Sequence, residues 1–186
     1  MKVTKTALEG VLLLEPARFG DARGFFAESW NRKTLLEHGI DMDFVQDNHS
    51  MSEAVSTLRG LHFQTPPHAQ AKLVRCARGA LFDVAVDIRV GSPTYGHWVG
   101  YDLSFENGLQ LLIPTGFLHG FVTREANTEI AYKCTAYYAP ECDRSVRFDD
   151  VDIGIDWALS SEPVLSAKDV AAQALRDVDN PFVWEG

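Results

Sequence analysis

Cysteine is scarce in this chain: Cys76, Cys134 and Cys142 are the only three in 186 residues. An odd, widely spaced set supplies neither a disulfide framework nor a thiolate metal cage, so all three are expected as reduced packing thiols. Positive charge is also short, with 17 Lys and Arg against 26 Asp and Glu and a formal net charge of −9. That balance excludes a surface built for nucleic-acid backbone or anionic membrane, both of which need a cationic face. An anionic small substrate must then be met by a local cluster. Long apolar runs are missing too. Behind Met1-Lys2-Val3-Thr4-Lys5 the run Val11 to Leu14 is far too short for a signal core or a membrane span, so a cytoplasmic location is expected. No internal repeat or low-complexity stretch occurs, and the 14 glycines and 8 prolines are scattered as turn punctuation. With 46% hydrophobic residues the chain can bury a sizeable core, and residues 1–186 are expected to form one domain.

What the sequence does hold is a series of short β-like runs separated by turns: 25–30, 72–77, 81–88, 98–103, 109–113 and 130–138. In Phe82-Asp83-Val84-Ala85-Val86-Asp87-Ile88 the large apolar residues take every second position, with small or acidic ones between, which predicts a strand buried on one face. Asn31 to His38, stopped by Gly39, reads as a short helix, and Ser166 to Leu175 as another with serine at its N-cap. Many short strands with a few peripheral helices predict an all-β sandwich or barrel, here a jelly roll.

Two polar clusters interrupt the apolar pattern. The first joins Val45-Gln46-Asp47-Asn48-His49-Ser50 to Leu58-Arg59-Gly60-Leu61-His62-Phe63-Gln64. Amides and a guanidinium in β-type sequence must face a cavity or satisfy one another, because unpaired burial is costly. For Gln46 and Asn48 an internal hydrogen-bond network is the plainer reading. Arg59, Lys72 and Arg75 together suit a diphosphate, although for Arg75 and Arg78 a solvated surface position is the plainer reading.

The second cluster is Leu112-Ile113-Pro114-Thr115-Gly116-Phe117-Leu118-His119-Gly120-Phe121, preceded by Gly108. Its glycine, proline, glycine and histidine spacing resembles the second cupin motif, whose turn sets a histidine inside a small β-barrel. A metal cupin draws two histidines and a glutamate from its first motif, whereas this chain offers His62-Phe63-Gln64 with Lys72 close behind. Two histidines and a glutamine beside a cationic side chain make a poor ligand set, so no metal and no other cofactor is expected. Tyr132 and His62 complete the candidates. Either alone reads as a core residue with its polar atom tied off. Together, an imidazole that titrates near neutrality and a phenol that donates are the groups needed to remove a proton from one face of a planar enolate and return it on the other.

These segments resemble the dTDP-4-dehydrorhamnose 3,5-epimerase family over nearly the whole chain. Asp21-Ala22-Arg23-Gly24-Phe25-Phe26-Ala27-Glu28, the two clusters above, Lys72-Leu73-Val74-Arg75, Phe82 to Arg89 and Leu165-Ser166-Ala167-Lys168-Asp169 stand in the family's order and spacing. The resemblance implies a metal-free cupin-type double-stranded β-helix that works as a homodimer with an exchanged N-terminal strand. It implies a dTDP-4-keto-6-deoxyhexose substrate on the way to dTDP-L-rhamnose and surface polysaccharide. By resemblance, His62 is the base, Tyr132 the acid, Lys72 the group that stabilises the enolate oxygen, and Asp169 the carboxylate that fixes the tautomer of His62. The same likeness assigns substrate contacts to Arg23, Glu28, Gln46, Asn48, Arg59, Lys72, His119, Asp143 and Lys168, with Arg23 and Glu28 reaching a partner's site. Phe19 and Tyr138 match aromatics stacked on or near the thymine.

Asp169 has a competing reading, since Ser166 with an acid three residues on is also a helix capping box. Asp143 stands where the family more often carries glutamate, Thr115 replaces a residue that is commonly acidic, and the tail 170–186 has little motif content and is expected as variable surface. Other readings on the same scaffold are an epimerase that inverts only C3 or only C5, an isomerase that moves the ketone, a metal-dependent cupin oxygenase, and a non-catalytic sugar-binding cupin.

Overall fold

The computed structural model describes residues 1–186. Its strands in chain order are β1 (Lys2–Lys5), β2 (Leu12–Glu15), β3 (Arg18–Asp21), β4 (Gly24–Ala27), β5 (Gln46–Ser52), β6 (Leu58–Gln64), β7 (Lys72–Arg78), β8 (Ala80–Asp87), β9 (Trp98–Ser104), β10 (Gln110–Ile113), β11 (Phe117–Thr123), β12 (Thr128–Cys134) and β13 (Asp143–Ser145). Two short helices, α1 (Arg32–Glu37) and α2 (Ala167–Val170), lie at the periphery. A six-stranded sheet ordered β1-β2-β10-β7-β12-β5 stands against a five-stranded sheet ordered β13-β6-β11-β8-β9, and β3 pairs with β4 in a separate hairpin. This is the cupin-type jelly roll that the strand spacing predicts.

Period-two alternation explains how the sheets close on each other. Val74, Leu111 and Ile130 of the larger sheet and Leu81, Ala85, Phe117 and Phe121 of the smaller one meet in one buried cluster. The outer faces are covered as well. Leu35 and Ile40 press on Leu14, Leu73 and Leu112, while Val146, Ile153, Trp157 and Leu175 from the C-terminal third cover Leu58, Val84, Val86 and Leu118.

That double covering corrects the reading of residues 82–88. The strand is buried on both faces: Asp83, Ala85 and Asp87, which the alternation left on an open face, are all 0% exposed. Boundaries differ elsewhere. The strand expected at 25–30 ends at Ala27, and the one expected at 130–138 ends at Cys134. The helix expected over 166–175 is a single turn, followed by a separate 3-10 turn at Leu175–Asp177.

The tail lies at the surface, as expected, and is tied to the sheet. Val90 N donates to Phe182 O and Trp184 N to Val90 O, both at 2.9 Å, so the last residues run beside the end of β8. Arg89 sits between the rings of Phe117 and Trp184, 4.5 and 4.4 Å from their centres, as a cation against two aromatic faces. Its guanidinium is held in turn by Asp87, which also accepts from Ser92 and Thr94 hydroxyls. Burial alone would raise the Asp87 carboxyl, but these donors outweigh it and pull the pKa down to about 2.

Two consequences can be measured. The Asp87 carboxylate stabilises the fold only where it is ionised, so its contribution is complete above the unfolded carboxyl range and is lost as pH falls toward 2. Asp87→Asn should cost about 2 kcal/mol in urea unfolding at pH 7, with a smaller deficit at pH 3. Gly60 has φ +128°, and a Cβ there would lie 2.6 Å from Gly120 Cα and 2.8 Å from His119 O. Gly60→Ala should therefore destabilise by roughly 3 kcal/mol, read as a drop in thermal midpoint.

Candidate active site

The alternation that builds the core also aims polar side chains into the space between the sheets. His62 on β6 and His119 on β11 are cross-strand partners in the smaller sheet. Lys72 on β7, Tyr132 on β12 and Asn48 on β5 come from the larger one, where Tyr132 is paired with both Val74 and Asn48. Arg59, His62, Lys72, His119, Tyr132 and Asp169 line a cleft of about 410 Å³. His62, Lys72 and Tyr132 also line an adjoining space of about 390 Å³ with Gln46, Asn48, Tyr138, Asp143 and Lys168. The imidazole and the phenol thus enter one continuous cleft from opposite walls.

His62 is the most closely held. Its Nε2 lies 2.6 Å from Asp169 Oδ1, and Asp169 is only 3% exposed. A carboxylate only accepts, so Nε2 carries the proton and Nδ1 keeps the lone pair. The Ser166 N-cap forms, but the reciprocal half of a capping box does not: Ser166 Oγ accepts from Asp169 N at 3.1 Å, while the Asp169 carboxylate accepts from that hydroxyl at 2.8 Å instead of from the Ser166 backbone.

Burial lowers the pKa of His62, helped by the charges of Lys168 and Lys72 and opposed by Asp169, so the ring is neutral at pH 7. For Asp169 burial works the other way, but the bonds from His62 and Ser166 outweigh it and hold the carboxyl below its ordinary range. Burial also lowers Lys72, against the opposing charges of Cys134, Asp143 and Asp83. The Tyr132 phenol is raised, chiefly by burial. At neutral pH the cleft therefore presents an imidazole able to accept a proton and a phenol able to donate one.

The remaining residues sort by position. Gln46 Nε2 donates to Asn48 Oδ1 at 3.0 Å, Asn48 Nδ2 contacts Cys134 Sγ at 3.7 Å, and Gln46 Oε1 accepts from Tyr138 N at 2.9 Å. Gln46 and Asn48 are both a network and part of the wall. Arg59 is held at the rim by Ser52 Oγ and Met51 O. Lys168 pairs with Asp143, which also accepts from the Tyr138 hydroxyl at 3.3 Å, and the Tyr138 ring is 58% exposed above them. Arg75 takes the solvated surface position that was its plainer reading: it is three residues from Lys72 on β7, hence on the outer face, beside Trp30 and Lys133. Arg23 and Glu28 do not line the cleft of their own chain. They lie on or next to the β3–β4 hairpin, where Arg23 pairs with Asp21 and Phe19 and Phe26 are 66% and 70% exposed. Thr115 is exposed at the β10–β11 turn, near Arg89 and Trp184 and away from the cleft.

The side chains do not suit a metal ion. No three His, Cys, Asp or Glu groups converge. Each histidine has its Nε2 occupied by a carboxylate, His62 by Asp169 and His119 by Asp83 at 2.8 Å. Gln64, at the position of a further ligand, spends its amide on His68 O, Tyr137 O and Ala139 N. Lys72 adds a like charge to the same space.

Sequence reasoning missed Asp83 and the part played by Ser166. Asp83 was legible only as an acid on the small-residue phase of a strand, a signal that alternation assigns to solvent. Ser166 was read as a cap without its second bond to the carboxylate.

The family model described as dTDP-4-dehydrorhamnose 3,5-epimerase matches residues 5–177. A dTDP-4-dehydrorhamnose 3,5-epimerase of Salmonella typhimurium is 57% identical over 176 residues, 94% of this chain and 96% of that protein. The crystal structure of a dTDP-6-deoxy-D-glucose-3,5-epimerase from Legionella pneumophila, in complex with dTDP-4-keto-L-rhamnose, superposes with TM-score 0.94 at 46% identity, covering 98% of each chain. A more distant neighbour, at 34% identity and TM-score 0.86 over 92% of this chain and 86% of its own, is a 3'-monoepimerase from Streptomyces bikiniensis in complex with dTDP-quinovose. With the match spanning nearly every element that lines the cleft, the chain belongs to the dTDP-4-dehydrorhamnose 3,5-epimerase family.

Proposed function

We propose that this chain is a dTDP-4-dehydrorhamnose 3,5-epimerase, converting dTDP-4-dehydro-6-deoxy-D-glucose to dTDP-4-dehydro-L-rhamnose in dTDP-L-rhamnose biosynthesis. The observation that carries the reading is the placement of a neutral, carboxylate-held imidazole and a neutral phenol on facing sheets of one cleft. The C4 ketone acidifies the protons on C3 and C5, since loss of either leaves charge shared with the ketone oxygen. Inversion then requires removal from one face and return from the other.

His62 takes the proton through Nδ1, and Asp169 stabilises the imidazolium that forms. Lys72 lies beside the enolate oxygen as a preorganised charge, and Tyr132 returns the proton from the opposite wall. Arg59, His119, Gln46 and Asn48 hold the sugar and diphosphate, with Asp143 and Lys168 at the mouth and Tyr138 stacked on the thymine. The reading includes a homodimer. The exposed hairpin with Phe19, Arg23 and Phe26 has too much apolar surface to face water, and in a symmetric pair an exchanged N-terminal strand brings Arg23 and Glu28 to the partner's cleft. No helix is long and apolar enough to cross a membrane, and a nucleotide-sugar substrate fits a cytoplasmic location.

Incubation with dTDP-4-keto-6-deoxyglucose in heavy water, followed by proton NMR, should place deuterium at both C3 and C5 of an L-configured product. Label at one carbon only identifies a monoepimerase, and an unlabelled sugar overturns the assignment. His62→Ala should lose at least ~100-fold in exchange at both carbons. Tyr132→Phe should stop inversion more than exchange, which the same spectra resolve as label without change of configuration.

Because His62 must be neutral to act, kcat/KM should fall on the acid side through a pKa below 6.5. Asp169 raises that pKa by its bond and its charge, so Asp169→Asn should lower kcat while moving the acid limb to still lower pH. A limb that moves upward would contradict the assigned pairing.

A further inference from the structure

The barrel interior holds a second histidine–carboxylate pair that the reaction above does not use. Asp83 lies on the inward face of β8, between Leu81 and Ala85, and is 0% exposed. Because β8 is flanked by β11 and β9, the carboxylate is enclosed on both sides and away from any sheet edge. Its Oδ1 accepts from His119 Nε2 at 2.8 Å, while Oδ2 is buried with no hydrogen-bond partner.

Asp87 shows what a structural acid on the same strand looks like. Four residues on and equally buried, it collects donors from the Arg89 backbone and guanidinium, from Ser92 and from Thr94. Asp83 has one. A buried carboxylate with an orphan oxygen destabilises a core that an apolar side chain of the same size would pack equally well. Stability therefore gives no reason for Asp83, and its surroundings give another. His119 is set opposite the base, His62, across the β6/β11 pair and lines the cleft. Lys72 faces the same interior, and the charge of Asp83 is among those opposing the effect of burial on its ammonium.

We propose that Asp83 is a positioning residue for the epimerisation: it locks the His119 ring with Nε2 inward and Nδ1 toward the sugar, and it adds a fixed negative charge to the interior that Lys72 also faces. The proposal rests on the function proposed above. The two effects separate chemically. An amide at position 83 still accepts from Nε2 but carries no charge, whereas an alkyl group does neither.

Asp83→Asn should lower kcat roughly 10- to 100-fold with KM within about twofold of wild type, and Asp83→Leu should lower kcat similarly and also raise KM. Thermal midpoints equal to or above wild type are expected for Asp83→Leu, since an orphan buried charge is removed. Nitrogen-15 NMR of the histidines should show the His119 proton on Nε2 in wild type and in Asp83→Asn, and a tautomer mixture in Asp83→Leu. Wild-type kcat in either variant overturns the proposal, as does a loss of activity that only follows a loss of folded protein. Should the variants not fold, the wild-type spectrum decides, because a His119 proton on Nδ1 is incompatible with the lock. Wild-type enzyme that places no deuterium in the sugar would fault the assigned reaction instead, since the tautomer is read without substrate.

Discussion

The hydrogen bond between His62 Nε2 and Asp169 Oδ1 is the contact on which the rest of the site depends. An imidazole in this cleft loses solvent, and desolvation by itself would leave a weak base with either nitrogen protonated. The carboxylate settles the tautomer, and in the proposed reaction it would stabilise the charge that appears once His62 takes a proton. It reaches His62 from residue 169, more than a hundred positions along the chain, because the C-terminal third packs Val146, Ile153, Trp157 and Leu175 over the smaller sheet. The covering that buries the outer face of β8 is thus also the support for α2 and its acid.

The two sheets set the second requirement. Proton removal and return on opposite faces of a ring need two walls at a fixed spacing, and a jelly roll provides them without any moving part. His62 and His119 belong to the five-stranded sheet, Lys72 and Tyr132 to the six-stranded one. Each pairing within a sheet fixes the height of a side chain in the cleft to the pitch of a strand, and the apolar cluster of Val74, Leu81, Leu111 and Phe117 holds the walls apart. Connecting segments add Val164, Leu165 and Ser166 to the cleft, and Tyr138 joins Asp143 of β13 and Lys168 of α2 at the mouth.

An acidic protein that handles a diphosphate must keep its cations local. Arg59, Lys72 and Lys168 gather around the cleft, while a net charge of −9 is spread over the remaining surface. Arg75 shows how strictly geometry decides membership in that group, since an odd offset along β7 turns it to the outer face. The same parity rule sends Asp47 and His49 outward and Gln46 and Asn48 inward on β5.

The family, the jelly roll and the residue types of the cleft were legible from sequence alone, because motif order and strand period are local properties of the chain. The helix starts at Asn31 and Ser166 were legible for the same reason, as capping is a contact among neighbours. What sequence misjudged were the quantities set by covering and distance. Asp83 and Asp87 are interior because both faces of β8 are covered. Asp169 had two readings, a helix cap and a partner of His62, and the fold lets its backbone N–H meet Ser166 while its carboxylate meets His62. Burial and pairing across the chain are sums over elements that touch only after folding, and no window of sequence contains them.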